Sequence, residues 1–423
     1  MKKAMPIIIT IIVTTIIVLL LMNFSTAEKR IEKKLETHYG VDDPQFSRSV
    51  SALLGPPFLT GNEVKVLNNG DEIFAAMLKE IKAAKHTITF ETFIYWNDSI
   101  GEEFAAALSE RAKAGVKVHV LLDWLGSVKM DQNKLDKMTK AGVQMQRYHK
   151  PHWSHLSHLN NRTHRKLLII DGKLGFTGGV GIADQWRGNA RNPDEWRDSH
   201  YQVTGPAVAQ MQAVFMDNWI KAQGKVLHDQ GYFPALQPTG NIDAQMFSSS
   251  PSGGSDSMQL MYLMAIAAAQ HSIDLSSAYF VPDDLAVNAL IAATKRGVKI
   301  RIIMPGEYID TETVRKASRE NWGPLLKANI HIAEYQPTMY HCKILIVDNL
   351  LVSVGSTNFD NRSFRLNDEA NLNVLNAKFA DEQTSIFNDD WAKSKVVTYA
   401  AWKDRPFTDK VLEKFAVLLK SQL

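Results

Sequence analysis

The sequence contains a single cysteine, Cys342, so no disulfide can close within the chain. It has little net charge: 48 Lys and Arg stand against 45 Asp and Glu, leaving +3 at neutral pH. With no dense basic patch along the chain, nucleic acid is not an expected partner. Charge is missing altogether between Ala4 and Phe24, where almost nothing is polar beyond Thr10, Thr14 and Thr15. A secretory leader has a shorter apolar stretch, although Ser25-Thr-Ala27 resembles a small-residue cleavage site. The length suits an uncleaved helix crossing a ~30 Å hydrocarbon core, so residues 1–27 are read as a transmembrane anchor. Lys2 and Lys3 precede the run and Lys29, Arg30, Lys33 and Lys34 follow it. The following positive charges favour a cytoplasmic C-terminal side, and the short N-terminal tail weakens that vote.

The remainder has ordinary folded composition, 45% hydrophobic and 22% charged. At roughly 100–200 residues per domain, 423 residues make two or three domains. Residues 28–61, charged and then carrying Gly55-Pro56-Pro57, are read as a stalk. Beyond them a pattern runs through the chain twice. Ala84-Lys-His86-Thr-Ile-Thr-Phe90 is matched by Ala269-Gln-His271-Ser-Ile-Asp-Leu275, and Gly115-Val-Lys117 by Gly297-Val-Lys299. Each half reads strand, helix, strand, helix, strand. Gly101–Ala114 and Asp283–Arg296 have helical apolar spacing, and each runs up to a glycine stop. Leu167–Ile170 and Ile344–Val347 are continuous apolar runs, as in strands covered on both faces. The expected fold class is therefore α/β, with two similar domains in which a mixed or mostly parallel sheet lies between helices. Ser248–Asp256 is the natural junction, placing the domains at 62–245 and 246–423.

Each half contains one copy of His-x-Lys-x4-Asp: His164-Arg-Lys166-Leu-Leu-Ile-Ile-Asp171 and His341-Cys-Lys343-Ile-Leu-Ile-Val-Asp348. A histidine can attack phosphorus, but a second is needed to protonate the departing oxygen, so the duplicated half-site points to one composite site. On a strand, residues i and i+2 share a face, which puts each lysine beside its histidine. The ammonium can hold phosphoryl oxygens and disfavours a protonated imidazole. Asp171 and Asp348 emerge beyond the apolar run, too far along to reach their own histidines, and are assigned structural or capping roles. His149, His152, His155 and His158 are interleaved with Lys150 and Trp153. They are read as a loop at the site's mouth contacting lipid headgroups rather than a metal site, since no cysteine or carboxylate joins them. The apolar stripe with lysines at Val411–Leu419 is read as a helix packed on its domain, with a membrane-surface helix as the alternative.

The two motifs, with Gly355-Ser356-Thr-Asn358-Phe-Asp-Asn361-Arg-Ser-Phe364 and Leu366-Asn-Asp-Glu369, resemble the phospholipase D superfamily, most closely its bacterial cardiolipin synthase branch. The resemblance spans about residues 62–400. It implies two phospholipase D-like α/β/α domains packed about a pseudo-two-fold axis. It also implies a membrane enzyme, without metal or cofactor, that transfers the phosphatidyl group of phosphatidylglycerol through a phosphohistidine. Hydrolysis of a phospholipid by the same site is the alternative. Carried onto this sequence, it makes His164 the nucleophile and His341 the general acid and base, exchangeable because the halves are pseudo-symmetric. Lys166, Lys343 and Asn358, together with Ser356, would bind phosphate or orient the site. Glu369 is expected to orient His341, and Asp198 to orient His164. Gly181 stands where the second half has Asn358, so the halves are expected to be unequal. The implied setting is the bacterial cytoplasmic membrane; the oligomeric state is left open.

Overall fold

The computed structural model describes residues 4–22, 31–150, 160–251, 257–418 and 420. Ser25–Ala27, most of the 248–256 junction and His152, Trp153, His155 and His158 lie outside them.

Ala4–Met22 forms one helix of 19 residues with its isoleucines and valines exposed. At ~1.5 Å per residue it is about 28 Å long, slightly under the ~30 Å apolar core of a bilayer. Among the described residues no helix is long and apolar enough to cross a membrane. The expectation of a spanning anchor thus meets an apolar helix that falls short of a full span.

The expected stalk is folded. Asp43 caps the helix Pro44–Leu54, accepting from the Gln45 N–H at 2.8 Å. Phe46, Val50 and Leu54 recur every four residues and so form one stripe. With Val41, that stripe is buried against the helix Ser257–Ala268 and the core of the second half. The strand Leu59–Asn68 starts before the expected boundary at 62 and opens the first domain.

The two halves share one sheet. From one edge it runs Gln144–Tyr148, Lys117–Asp123, Thr87–Thr92, Leu167–Ile170, Leu174–Gly178, Ser199–Thr204 and Leu59–Asn68. The second half follows with Ile242–Ser249, Asn367–Leu375, Leu351–Gly355, Lys343–Val347, Ser272–Ser277, Lys299–Pro305, His331–Tyr335 and Ser394–Val397. Read outward from the middle, the second series repeats the first and adds one edge strand. The pseudo-two-fold passes through the antiparallel pair Leu59–Asn68 and Ile242–Ser249, where Leu59 faces Ala244 and Asn62 faces Ile242. Each half is mixed. Thr87–Thr92, Lys117–Asp123 and Gln144–Tyr148 are parallel, as are their counterparts, and the strands nearer the middle are antiparallel.

Sequence had cut the domains at 245/246, inside the strand Ile242–Ser249. That strand pairs with Asn367–Leu375 from Leu375↔Asp243 to Glu369↔Ser249 and belongs wholly to the second half. Its polar Ser248 and Ser249 read as linker because they are ladder residues of a half-polar strand end. One hydrophobic cluster is common to both halves. It joins Met211, Phe215 and Trp219 of the helix Ala207–Gln223 to Phe379 and Phe387 of the helix Ala377–Ala392, under strand residues of both halves. The shared core and the continuous ladder fix the halves relative to each other, and therefore fix the two motifs.

Candidate active site

The motif strands cross the sheet from the site at one end to a cap at the other. Glu91 faces Leu167 and Ser277 faces Lys343, so each His-Lys pair lies at the C-terminal end of a parallel strand. Five residues on, at ~3.3 Å each, the aspartates are roughly 16 Å away. There Asp171 accepts from the backbone N–H groups of Lys85, His86 and Thr87. Asp348 does the same for Gln270, His271 and Ser272. Each aspartate thus ties the start of a strand to the motif's turn, the structural role expected, and neither touches the histidines.

The carboxylates are exchanged relative to expectation. Glu369 reaches His164, with its two oxygens 2.9 and 3.0 Å from Nδ1. Asp198 reaches His341, with Oδ2 2.7 Å from Nδ1. Assigning each carboxylate to the histidine of its own half was wrong, and the backbone shows why. Arg162–Thr163 pairs in parallel with Asn367–Asp368 of the second half, and the His164 N–H donates to the Asp368 carbonyl at 2.9 Å. Reciprocally, Arg197 bridges to Tyr340, its N–H donates to Met339, and the His341 N–H donates to the Arg197 carbonyl at 2.8 Å. Each motif therefore approaches the site along the other half's carboxylate-bearing segment. Buried side chains lock the crossing. Arg165 binds the carbonyls of Val214 and Ser249, and Arg197 pairs with Asp390 at 2.9 Å.

Both histidines are almost fully buried, 9% and 6% exposed, so only a small opening reaches them. A carboxylate can only accept, so each Nδ1 carries the proton and each Nε2 keeps its lone pair. Lys166 Nζ donates to the His164 carbonyl at 2.7 Å and Lys343 Nζ to the His341 carbonyl at 2.6 Å, which holds both ammoniums beside the rings. Lys343 Nζ also lies 3.2 Å from both ring nitrogens of His341.

The electrostatics join the halves. Burial, opposed by Glu369 and reinforced by Lys166 and Lys343, pushes His164 down to about 4. Burial and then Lys343 push His341 down to about 3, with Lys166 adding to the effect. Burial, opposed by Glu369 and reinforced by Lys343, lowers Lys166 to about 7. Burial would raise both carboxyls, but His164 holds Glu369 below the usual range and His341 does so for Asp198. At neutral pH the resting site thus has two neutral imidazoles and two ionised carboxylates beside Lys343 and a Lys166 poised near half charge.

Two similar halves do not make two equal sites. Glu369 is held by the Ser356 hydroxyl and by Asn367 Nδ2 at 3.1 Å. Gly179 stands where Ser356 stands, and a Cβ there would lie 2.2 Å from Asp198 Oδ1. Asp198 instead takes the Trp186 indole N–H at 3.0 Å and its neighbour Ser199 N–H at 2.8 Å. His341 packs against the Trp186–Trp196 pair, with ring centroids at 5.3 and 5.4 Å, whereas among the described residues the ring beside His164 is Phe93 at 5.3 Å. Asn358 is buried with its side-chain carbonyl unpartnered, and Gly181 opposite it is closed by Ile94 and Trp186.

The family description "Cardiolipin synthase, PLD-like domain" matches residues 77–214 and again 262–391, once around each motif. The chain belongs to the cardiolipin synthase family of phospholipase D-like proteins. It is 34% identical over 370 residues to "Cardiolipin synthase" of Alkalihalophilus pseudofirmus, covering 87% of this chain and 73% of that one. It is 33% identical over 352 residues to "Cardiolipin synthase A" of Pseudomonas syringae pv. syringae, covering 83% and 73%. The crystal structure of phosphatidylserine synthase from Haemophilus influenzae Rd KW20 shares the fold. Its TM-score is 0.70 at 13% identity, over 90% of this chain and 100% of that one.

Within this family frame, the sequence names the residues that converge and the two carboxylates that orient them, with the carboxylates exchanged, and misses the aromatic rings beside the histidines. Trp186 and Phe93 could not be singled out, because an aromatic residue near a motif carries no sign of which ring it touches. The segment Glu91–Tyr95 serves both site and core: Phe93 faces His164, while Tyr95 is buried and donates to the Gly101 carbonyl at 2.9 Å. In its counterpart Phe280 and Val281 are core and Tyr279 donates to Asp310 at 2.6 Å. Of the four clustered histidines, His149 is described and pairs with Asp368 at 3.2 Å. Among the described residues no group of three His, Cys, Asp or Glu could hold a metal ion.

Proposed function

We propose that this chain condenses two phosphatidylglycerol molecules to cardiolipin and glycerol. The observation that carries the reading is the convergence of two His-Lys pairs, each oriented by the other half's carboxylate, in one buried site. His164 Nε2 attacks the phosphorus of the first lipid while Glu369 holds the proton on Nδ1. The P–N bond forms, the bond to the glycerol oxygen breaks, and His341 delivers a proton to that oxygen. The entering phosphodiester anion offsets the two lysines that depress His341, so the imidazole can take up the proton it must give. In the second half-reaction, a glycerol hydroxyl of another phosphatidylglycerol loses its proton to His341 and attacks phosphorus. The P–N bond breaks and His164 is restored. Lys166, Lys343 and the Asn358 amide carry the phosphoryl oxygens.

A lipid substrate and the apolar helix Ala4–Met22 support a place at the bacterial cytoplasmic membrane, with the helix as a single anchor. Expression in a host lacking cardiolipin, followed by lipid chromatography, tests the activity. Cardiolipin should appear with the intact chain and not with His164→Asn or His341→Asn. Phosphatidic acid without cardiolipin would instead make water the acceptor and overturn the transferase reading.

A further inference from the structure

The helix Phe407–Val417 is attached by a narrow face. Glu413 and Ala416 are buried on it, Ala416 against Val314 and Ala317 of the helix Glu312–Glu320. Glu413 pairs with Arg405 at 2.6 Å and Arg319 at 3.2 Å, which locks the helix on its support. The opposite face has Phe407, Val411, Phe415 and Leu418 at spacings of four, four and three, hence on one stripe. Phe407 is 79%, Leu418 76% and Phe415 65% exposed, more than any other large apolar side chain among the described residues. Lys403, Lys410 and Lys414 line the same surface and form no ion pair with a described carboxylate.

The end of this helix packs on the segment that follows Asn358. Leu418 shares a surface cleft with Asn361, three residues past Asn358, and Lys420's carbonyl accepts from Asn361 Nδ2 at 3.2 Å. The same cleft is lined by Ile31 and Glu32, the first described residues after the apolar N-terminal helix. The end of the exposed stripe, the chain arriving from Ala4–Met22 and the segment that follows Asn358 therefore meet in one cleft.

We propose that Phe407–Val417 is a second membrane contact, seating its Phe-Val-Phe-Leu stripe in the interface of an anionic bilayer while its lysines meet lipid phosphates. The occupant is argued from charge and position. Aromatic and leucine side chains flanked by lysines suit the headgroup boundary of an anionic membrane, and the contact holds the site opening against the surface that supplies phosphatidylglycerol. This rests on the proposed lipid substrate, and the test separates the two.

The full-length chain bearing Phe415→Cys is labelled with an environment-sensitive fluorophore; the native Cys342 is fully buried. In vesicles of equal parts phosphatidylglycerol and phosphatidylcholine, its emission should shift blue and be quenched by spin-labelled lipid. A Val226→Cys control, 62% exposed, should show neither. Quenching no greater than the control overturns the proposal, as does a blue shift that needs no vesicles and grows with protein concentration, which would make the stripe a contact between copies. The triple variant Phe407→Ser, Phe415→Ser, Leu418→Ser should lose about tenfold in transfer on vesicles and keep its rate on dispersed short-chain phosphatidylglycerol. Equal rates on vesicles would also overturn it. Absence of transfer by the intact chain on the dispersed lipid would count against the substrate assignment instead, and the quenching result would still decide the contact.

Discussion

Replacing Glu369 by glutamine removes the charge that holds the His164 Nδ1 proton and leaves the shape of the side chain. The two contacts at 2.9 and 3.0 Å are charge-assisted and fully buried. A hydrogen bond to a charged group contributes about 1.5–3 kcal/mol, or roughly 10- to 150-fold in rate. A glutamine can also turn its NH2 toward Nδ1 and favour the tautomer whose Nε2 carries the proton and cannot attack. The corresponding change in a Ser-His-Asp triad costs about 10⁴-fold, so kcat should fall between ~10- and ~10⁴-fold. The informative readout is the leaving group. With a phosphatidyl nitrophenol, whose alcohol departs without a proton, single-turnover formation of the enzyme intermediate needs only the nucleophile. His341→Asn and Asp198→Asn should then recover much of their rate, while His164→Asn and Glu369→Gln should stay slow. Adding Glu369→Gln to His164→Asn should cost little more, because the carboxylate acts through that ring. Recovery of Glu369→Gln together with His341→Asn, and not with His164→Asn, would refute the crossed pairing.

The pH dependence of kcat/KM on the nitrophenyl lipid, whose alcohol leaves without a proton, should show two free-enzyme limbs. His164, depressed to about 4, keeps its lone pair above that pH and loses it below, and Lys166, lowered to about 7, is charged below that pH and loses its hold on phosphate above it. Lys166→Arg should remove the alkaline limb, since a guanidinium stays charged; an unchanged limb would assign it to another group. Stability should follow a different course. Both histidines are depressed from 6.5, so the unfolded chain binds more protons in that window, and the denaturation midpoint should fall as pH drops from 6.5 toward 4. Asp171→Ala and Asp348→Ala each leave backbone N–H groups without their acceptor and should cost about 1–3 kcal/mol in urea unfolding. Their kcat on surviving folded protein should be unchanged; a loss of kcat greater than about tenfold would return these residues to the chemistry. Phe46→Ala should destabilise by about 3–5 kcal/mol, whereas a free stalk would register nothing.

How much was legible depends on the range of the interaction that decides each feature. Leu167–Ile170 and the helices near 101–114 and 283–296 were readable because apolar period is a local property. The buried stripe Phe46-Val50-Leu54 has the same local spacing, but the charges before it and Pro56-Pro57 after it masked a short amphipathic turn. The boundary at 246 failed because Ser248 and Ser249 are polar for a reason outside their own segment: they are paired with Ala370 and Glu369. Lys166 and Lys343 were found because a two-residue offset on an extended chain fixes a face. The crossed carboxylates were not found, since the partners are 205 and 143 residues apart and either pairing satisfies the same local pattern.

That crossing also explains why a duplicated half-site need not give a symmetric reaction. Each half supplies a His-Lys pair to the site and a carboxylate to the other half's histidine, so neither histidine is oriented until the halves are joined. Once each imidazole depends on the opposite half, a change in one half alters the environment of the other's reacting group. Gly179 in the first half leaves room for Asp198 beside His341, a ring packed on the Trp186–Trp196 pair. Ser356 in the second half steadies the longer Glu369 against His164, which among the described residues has Phe93 as its ring neighbour. The firmly held ring suits a proton carrier that must return to one position in both half-reactions. The less enclosed ring suits the nucleophile, which must accept a phosphoryl group on Nε2. The difference between the halves therefore follows from small residues at matched positions, acting across the pseudo-two-fold on a histidine that the other half provides.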